Sequence, residues 1–404
     1  MQRTAAEAAR RPRGRRGQIL LAAAEQFHRR GYHQVAMAEV AAAVGITAPA
    51  LYRHFRGKPE LLRQAVRDGL AELAAAVARA AADAAPPAVA APAAVRLGGA
   101  RPLAEALAQV ALERRELGTL WQRDARLLPA PQRAELRRSL RATVRAGAEL
   151  LGRARPELAP AQAESAVWAA LSAAGSLSYH TFAPPRRLLV QLLLDLLETE
   201  LDAPSGTGAG AASARPAALA GRREELLAAA VRLFDEHGFD NVSTDRLGAA
   251  VGIAGPSLYK HFPTKADLLA AALVRCRERL WHEVAEVLAV PGEPAAALRQ
   301  GLDAYLEFAR RHHHYLGAMV SETERLAEPD RKAALDFRRD FLRIWVELLQ
   351  RLHPEYDKPE ARVRVHAMFA VVNDGVRRPE QRQSGRLEPA LGPLARAALG
   401  LGSG

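Results

Sequence analysis

Ile19, Leu20, Ala23 and Phe27 recur at the spacing of one helical face. Gly31 follows them, where a helix is expected to end in a left-handed residue. A second short apolar pattern runs from about Met37 to Val44, and Gly45 ends it in the same manner. The turn Gly45-Ile46-Thr47 leads straight into a third helix. Thr47 is a good N-cap, and Pro49 is tolerated because it lies in the first turn. Short helix, glycine turn, short helix is the helix-turn-helix pattern. At about 100° per residue, Ala48, Leu51 and Phe55 share the inner side of the third helix. Pro49, Ala50 and Arg53 face away, flanked by Tyr52 and His54.

The same pattern returns farther along the chain. Residues 16–62 match residues 223–269 at a constant offset of 207, without a gap; about 20 of roughly 47 positions are identical. Phe27, Gly31, Val44, Gly45, Ile46, Pro49, Leu51, Tyr52, His54, Phe55 and Lys58 become Phe234, Gly238, Val251, Gly252, Ile253, Pro256, Leu258, Tyr259, His261, Phe262 and Lys265. Two alanine-rich helices matched by chance do not keep Gly, Pro, Tyr and His in register. Beyond the match each copy continues as amphipathic helices, with Arg126-Leu127 and Arg325-Leu326 as a faint second echo. The predicted organisation is a basic arm (1–15), a first head (16–62), a first helical domain (63–201), a linker (202–216), a second head (217–269) and a second helical domain (270–404). The linker is rich in Gly, Ser, Ala and Pro, and Ala84 to Pro102 reads as a surface loop. A short last helix is expected near Leu391 to Leu399.

Composition narrows the class. The 404 residues are 49% hydrophobic and 25% charged but only 5% aromatic. Alanine, leucine and arginine favour helix and leave strands without β-branched and aromatic side chains, so the fold class is all-α. A formal net charge of +12 fits a polyanionic partner, or a soluble protein from an arginine-rich, GC-rich bacterial genome. One cysteine, Cys276, excludes an internal disulfide framework and fits a reducing cytoplasm. No signal core follows Arg16, and no uncharged stretch is long enough to span a bilayer.

The outward face of the third helix carries the chemistry. Small residues there permit close approach to a major groove. Tyr52 and His54 can hydrogen-bond phosphates, and Arg53 can reach phosphate or a guanine edge. Lys58 opens the next helix, where its ammonium and the helix N-terminus both favour a phosphate. The second copy offers Gly255, Pro256, Ser257, Tyr259, Lys260, His261 and Lys265, with Ser243 and Thr244 at the start of its second helix. Thr264 caps the helix after it. Arg3, Arg10, Arg11, Arg13, Arg15 and Arg16 form a leader able to follow phosphates or the minor groove.

The stretches from Val44 to Phe55 with Lys58, and from Val251 to Phe262 with Lys265, resemble the DNA-binding domain of the TetR/AcrR family of transcriptional regulators. The resemblance covers about 47 residues in each copy and occurs twice. It implies, for each copy, a three-helix head followed by a helical domain that binds a small molecule and dimerises. Two departures stand out. Ala36 and Met37 occupy positions where the family prefers Ser or Thr, and Asp245 puts a negative charge near the second groove-facing surface.

The helical domains hold Trp121, Trp168, Met319, Glu322 and Trp345, which are core residues or the lining of an effector pocket. His312-His313-His314 point in different directions on a helix, so a shared metal is not expected. No nucleotide loop, nucleophile elbow or metal spacing occurs, so neither an enzyme nor a cofactor is expected. The expected function is a cytoplasmic, nucleoid-associated regulator, with no membrane partner. It would repress from an imperfectly palindromic double-stranded operator until an unknown small-molecule effector releases it. The two heads would form an intramolecular pseudo-dimer, or the chain would form a homodimer. The alternative is a DNA-anchored protein whose main partner is another protein.

Overall fold

The glycine stops fall where the pattern places them. Gly31 and Gly238 each close a helix at φ 81°, and Gly45 and Gly252 make the following turns at φ 68° and 71°. An L side chain is strained there and glycine is not. The structure, a computed structural model, describes residues 14–84, 100–201, 221–289, 292–378 and 388–402. Most of the basic arm, the linker and the body of the Ala84–Pro102 loop lie outside the described residues.

Every regular element among the described residues is helical. The first copy comprises α1 (Arg15–Arg30), α2 (Met37–Ala43), α3 (Ala48–His54), α4 (Lys58–Asp83), α5 (Arg101–Glu113), α6 (Ala130–Ala154), α7 (Pro160–Gly175) and α8 (Arg186–Leu197). Short helical turns fill the chain between Glu116 and Leu127. The second copy comprises α9 (Arg222–His237), α10 (Thr244–Ala249), a 3₁₀ helix (Gly255–Lys260), α11 (Lys265–Leu280), α12 (Pro294–Glu322), α13 (Asp330–Leu352), α14 (Lys358–Val376) and α15 (Leu391–Ala398). A kink at His312 divides α12, near where the first copy breaks after Glu113.

The expected edge of the first head, at residue 62, falls inside α4, and that of the second, at residue 269, falls inside α11. Each of these helices starts beneath its head and ends in the body, so a head cannot tilt without moving its helical domain. In the first copy Leu61, Leu62 and Ala65 bury the head end of α4, while Leu70, Leu73 and Val77 bury the body end.

The two copies pack against each other. Helix α7 lies along α14, and α8 meets α15. Helix α7 buries Ala163, Ala166, Ala170 and Ala173, small side chains that let the backbones come close. Val363, Met368, Val371 and Val372 are buried on α14. Arg364 of α14, buried in this seam, reaches Asp195 of α8 at 3.0 Å.

A second, polar seam lies under the heads. Arg123 donates to Phe27 O at the end of α1 (2.7 Å) and pairs with Glu324 of the other copy (2.8 Å). Arg126 donates to Phe234 O at the end of α9 (3.0 Å) and pairs with Glu322 (2.6 Å). Phe27 and Phe234 are equivalent positions of the repeat. Thus two arginines of one segment hold the C-termini of both leading helices, where a cation is favoured by the exposed carbonyls. The heads also touch directly, His33 against Asp240 at 3.0 Å.

Arg126 and Glu322 are both deeply buried, so removing one partner strands the other. Arg126→Ala is expected to lower the unfolding free energy by about 3–5 kcal/mol, read by urea titration of the helical signal. Arg126→Met combined with Glu322→Met should recover most of that loss. A single substitution costing less than about 1 kcal/mol would show that water reaches the pair.

Candidate DNA interface and effector cavity

The first head is built around Leu51 and Phe55, both fully buried against α1 and α2. Burying these two fixes the rotation of α3, and the opposite side must then face solvent. Thr47, Pro49, Tyr52 and Arg53 are exposed there, and Ala50 and His54 are half-buried. Thr47 Oγ1 accepts from Ala50 N at 3.4 Å and starts the helix. Glu39 accepts from Ala36 N at 2.7 Å, one half of a capping box at the start of α2; Ala36 has no side-chain oxygen for the other half.

The second head repeats the arrangement with Leu258 and Phe262 buried. Pro256, Tyr259 and Lys260 are exposed, with Ser257 and His261 half-buried. Ser243 Oγ accepts from Arg246 N at 3.2 Å and caps α10, with the partly buried Thr244 next to it. Tyr52 and Tyr259 are 52% and 53% exposed, which is high for a ring that serves only as core.

Three expectations change. The third element of the second head is a 3₁₀ helix, not an α-helix. Gly255, at its start, is buried: a Cβ there would come within 2.0 Å of Asp245 Oδ1 and 3.0 Å of Asp245 Cα. Gly255 is therefore a packing glycine and offers no surface to DNA. Asp245 folds over it. The first head has Ala38 and Ala48 at the equivalent positions and keeps a regular α-helix.

The lysines are the second change. Lys58 Nζ donates to His33 O at 3.1 Å and sits 4.6 Å from the Tyr32 ring. Lys265 Nζ donates to Phe239 O and Val242 O at 2.8 and 2.9 Å, above the Phe239 ring. Both ammonium groups turn back onto carbonyls of their own head, at a 3₁₀ turn beside each helix start, and so donate there as well as facing solvent in part.

The third concerns Arg15 and Arg16, read in sequence as part of a free leader. Arg15 binds Val44 O at 3.0 Å, while Arg16 binds His54 O at 2.5 Å and stacks on Phe55. Arg222 and Arg223 do the same to Val251 O, His261 O and Phe262. Each pair fastens the C-terminal ends of the two elements of a helix-turn-helix. The signal was present in the sequence, since Arg15 and Arg222 extend the repeat identity by one residue.

Between the copies runs one continuous cavity of about 550 Å³, lined from both. Trp121, Trp168 and Met319 line it, as sequence reasoning placed them, beside Phe337, Phe341 and Phe369. Glu322 and Trp345 do not. Glu322 is held by Arg126 and by Phe239 N (3.1 Å) under the second head, and Trp345 is fully buried behind Phe341. The three consecutive histidines part company: His312 packs at a tilt against Phe308, and His314 pairs with Asp235 at 2.9 Å. No helix among the described residues is long and apolar enough to cross a membrane.

The family model described as "Bacterial regulatory proteins, tetR family" matches the chain twice, over residues 19–65 and 226–272. The chain carries that family's head twice, in tandem. It is 43% identical over 108 residues to the HTH-type transcriptional activator FasR of Mycolicibacterium smegmatis, covering 27% of this chain and 49% of that one. It is 29% identical over 92 residues to the nucleoid occlusion factor SlmA of Haemophilus ducreyi, covering 22% and 46%. The HTH-type transcriptional repressor KstR2 of Mycobacterium tuberculosis is 27% identical over 141 residues, 34% of this chain and 70% of that protein. Its solved structure superposes with a TM-score of 0.37 at 23% identity, covering 41% of this chain and 89% of it. The chain spans about half the length of FasR and of SlmA. None of these three names is that of an enzyme.

Two outcomes follow for the TetR heads and the seam. Gly255→Ala is expected to destabilise the second head by about 1–3 kcal/mol through overpacking, read by thermal unfolding. Adding Asp245→Ala, which recreates the first head's pair, should restore most of it; no restoration would place the strain elsewhere. The second outcome concerns pH. Burial holds His180 down to about 4 and His366 to about 3, and their rings lie 4.9 Å apart. Arg115 beside His180, and Arg338 and Arg362 beside His366, push the same way. Below the unfolded value of about 6.5 the unfolded chain binds protons that the folded one refuses, so stability falls as pH drops toward 4. The slope per histidine reaches about 1.4 kcal/mol per pH unit. His366→Phe should flatten it in urea titrations at pH 7, 6, 5 and 4.5.

Proposed function

We propose that this chain is a DNA-binding transcriptional regulator in which two unlike heads on one polypeptide serve as the two halves of a dimer. The observation that carries the reading is the polar seam, where Arg123 and Arg126 of a single segment fasten α1 and α9 at equivalent carbonyls. Heads tied in this way meet DNA as a pair. Tyr52, Arg53 and His54 face the operator in the first head, and Pro256, Ser257, Tyr259, Lys260 and His261 in the second. Thr47, Pro49, Ala50, Ser243 and Thr244 lie alongside. Because the heads differ, the preferred operator is an imperfect palindrome with half-sites about one helical turn apart.

The regulatory mode proposed is repression released by a small molecule in the cavity. The support is positional: the cavity shares Arg126 and Asp235 with the polar seam that fixes the heads. A ligand that moves this wall changes head placement, and couplings of this kind are typically about 1–3 kcal/mol. The same family head occurs in an activator, a repressor and a nucleoid occlusion factor, so the sign of regulation rests on this positional argument alone.

The test is footprinting of the purified chain on DNA upstream of its own gene, with molecular mass measured in parallel. One protected imperfect palindrome per single chain is expected. Four protected half-sites per complex would replace the pseudo-dimer with a homodimer. Many scattered sites indifferent to ligand would favour a DNA-anchored partner of another protein. Tyr259→Ala with Lys260→Ala should weaken operator binding by roughly 10- to 100-fold. Tyr52→Ala with Arg53→Ala should do the same on the opposite half-site.

A further inference from the structure

Positive charge without counter-charge gathers along the cavity. Eight arginines and three carboxylates line it. Several of the arginines are answered. Arg114 lies against Glu72 and Glu116, Arg377 against Asp235, and Arg378 against Glu388. Three are not answered by a carboxylate. Arg115 gives its N–H groups to the carbonyls of Leu177 and Phe182. Arg133 donates to Arg126 O and Glu236 O, and its Nε is buried without an acceptor. Arg338 has neither a hydrogen bond nor an ion pair among the described residues; its side chain is exposed at the cavity wall, and the protein around it pulls its pKa down.

A guanidinium partly withdrawn from bulk water without an anion, as at Arg133 Nε, is left short of acceptors, and an anion that reaches it relieves the cost. Its planar fork fits a carboxylate or a phosphate with two parallel hydrogen bonds. The rest of the wall is apolar and large: Trp121, Met319, Phe337, Phe341 and Phe369. At about 550 Å³ the space suits one small-molecule ligand. Residues of both copies line it, among them Arg133 of the first and Arg338 of the second, so it is one shared site.

We propose that the cavity binds one amphipathic organic anion per chain, its acidic group on Arg338 and Arg133 and its apolar body on the aromatic wall. A carboxylate and a phosphate monoester share the chemistry required. The assignment rests on reading the cavity as the effector site and names the class of effector it takes. A ligand held from both sides of the seam acts on both heads at once, which two independent pockets would not do.

The experiment is calorimetric titration of the full chain with decanoate, decyl phosphate and decanol. The two anions are expected to bind with one site per chain and at least 10-fold more tightly than the alcohol. The ratio between them reports whether carboxylate or phosphate is the better headgroup. Arg338→Gln, checked for an unaltered melting temperature, should abolish the preference for anion over alcohol, and Arg133→Gln should reduce it. Equal binding of decanol and the anions, two sites per chain, no binding of any probe, or a preference that survives Arg338→Gln would each overturn the proposal. Operator binding is followed separately by fluorescence anisotropy with and without decanoate. A saturated cavity with unchanged operator affinity would defeat release by effector while leaving the anion site standing. Loss of the regulator reading would appear only in the anisotropy.

Discussion

Arg123 and Arg126 sit three residues apart in a segment that neither copy could bury alone. Each guanidinium must find anions or carbonyls, because water is excluded around it. Arg123 takes Asp124, Glu324 and Phe27 O; Arg126 takes Glu322, Phe234 O and the carbonyl of Arg123. The heads, the long helices beneath them and the seam between copies all share these groups. Moving one head without the other exposes a buried charge or strands one. That constraint ties the two heads together, and Arg126 joins the cavity wall to the end of α9, the leading helix of the second head.

Duplication on one chain frees the two heads to diverge, and the structure shows where they have. The pair Ala38 and Ala48 in the first head answers Asp245 and Gly255 in the second. In the second head a carboxylate has moved over the start of the third helix, and only a residue without Cβ fits beneath it. The third element of this head is a 3₁₀ helix, so the exposed Tyr259 and Lys260 are carried on different backbone geometry from Tyr52 and Arg53. Two heads that differ in backbone and in charge are suited to unlike half-sites, which agrees with the proposed asymmetric operator.

The seam itself combines two kinds of contact. Alanine-rich α7 against valine-rich α14 supplies close apolar packing, while Arg364 with Asp195 fixes its register. Farther toward the heads the packing opens into the cavity, where charge is only partly compensated. A region of this kind is a weak point for stability and a natural place for a ligand, since the group that satisfies the arginines also fills the space.

The sequence by itself determined the local and the repeated. Helix periods, glycine stops, the caps Thr47, Ser243 and Thr264, the buried Leu51 and Phe55 with their partners, and the offset of 207 all follow from nearest-neighbour chemistry along the chain. Only the tertiary structure decided the use of charge. Lys58 and Lys265 read as phosphate ligands until carbonyls from a preceding turn are seen against them, and Arg15 and Arg16 read as a free arm until Val44 O and His54 O are found within reach. Glu322 and Trp345 share helical neighbourhoods with cavity residues but point elsewhere, and Gly255 is silent about Asp245 until the two helices pack. The reason is common to all of these cases. A long charged side chain spans several ångströms and chooses among partners distant in sequence, whereas a helix start or a glycine turn is settled within four residues.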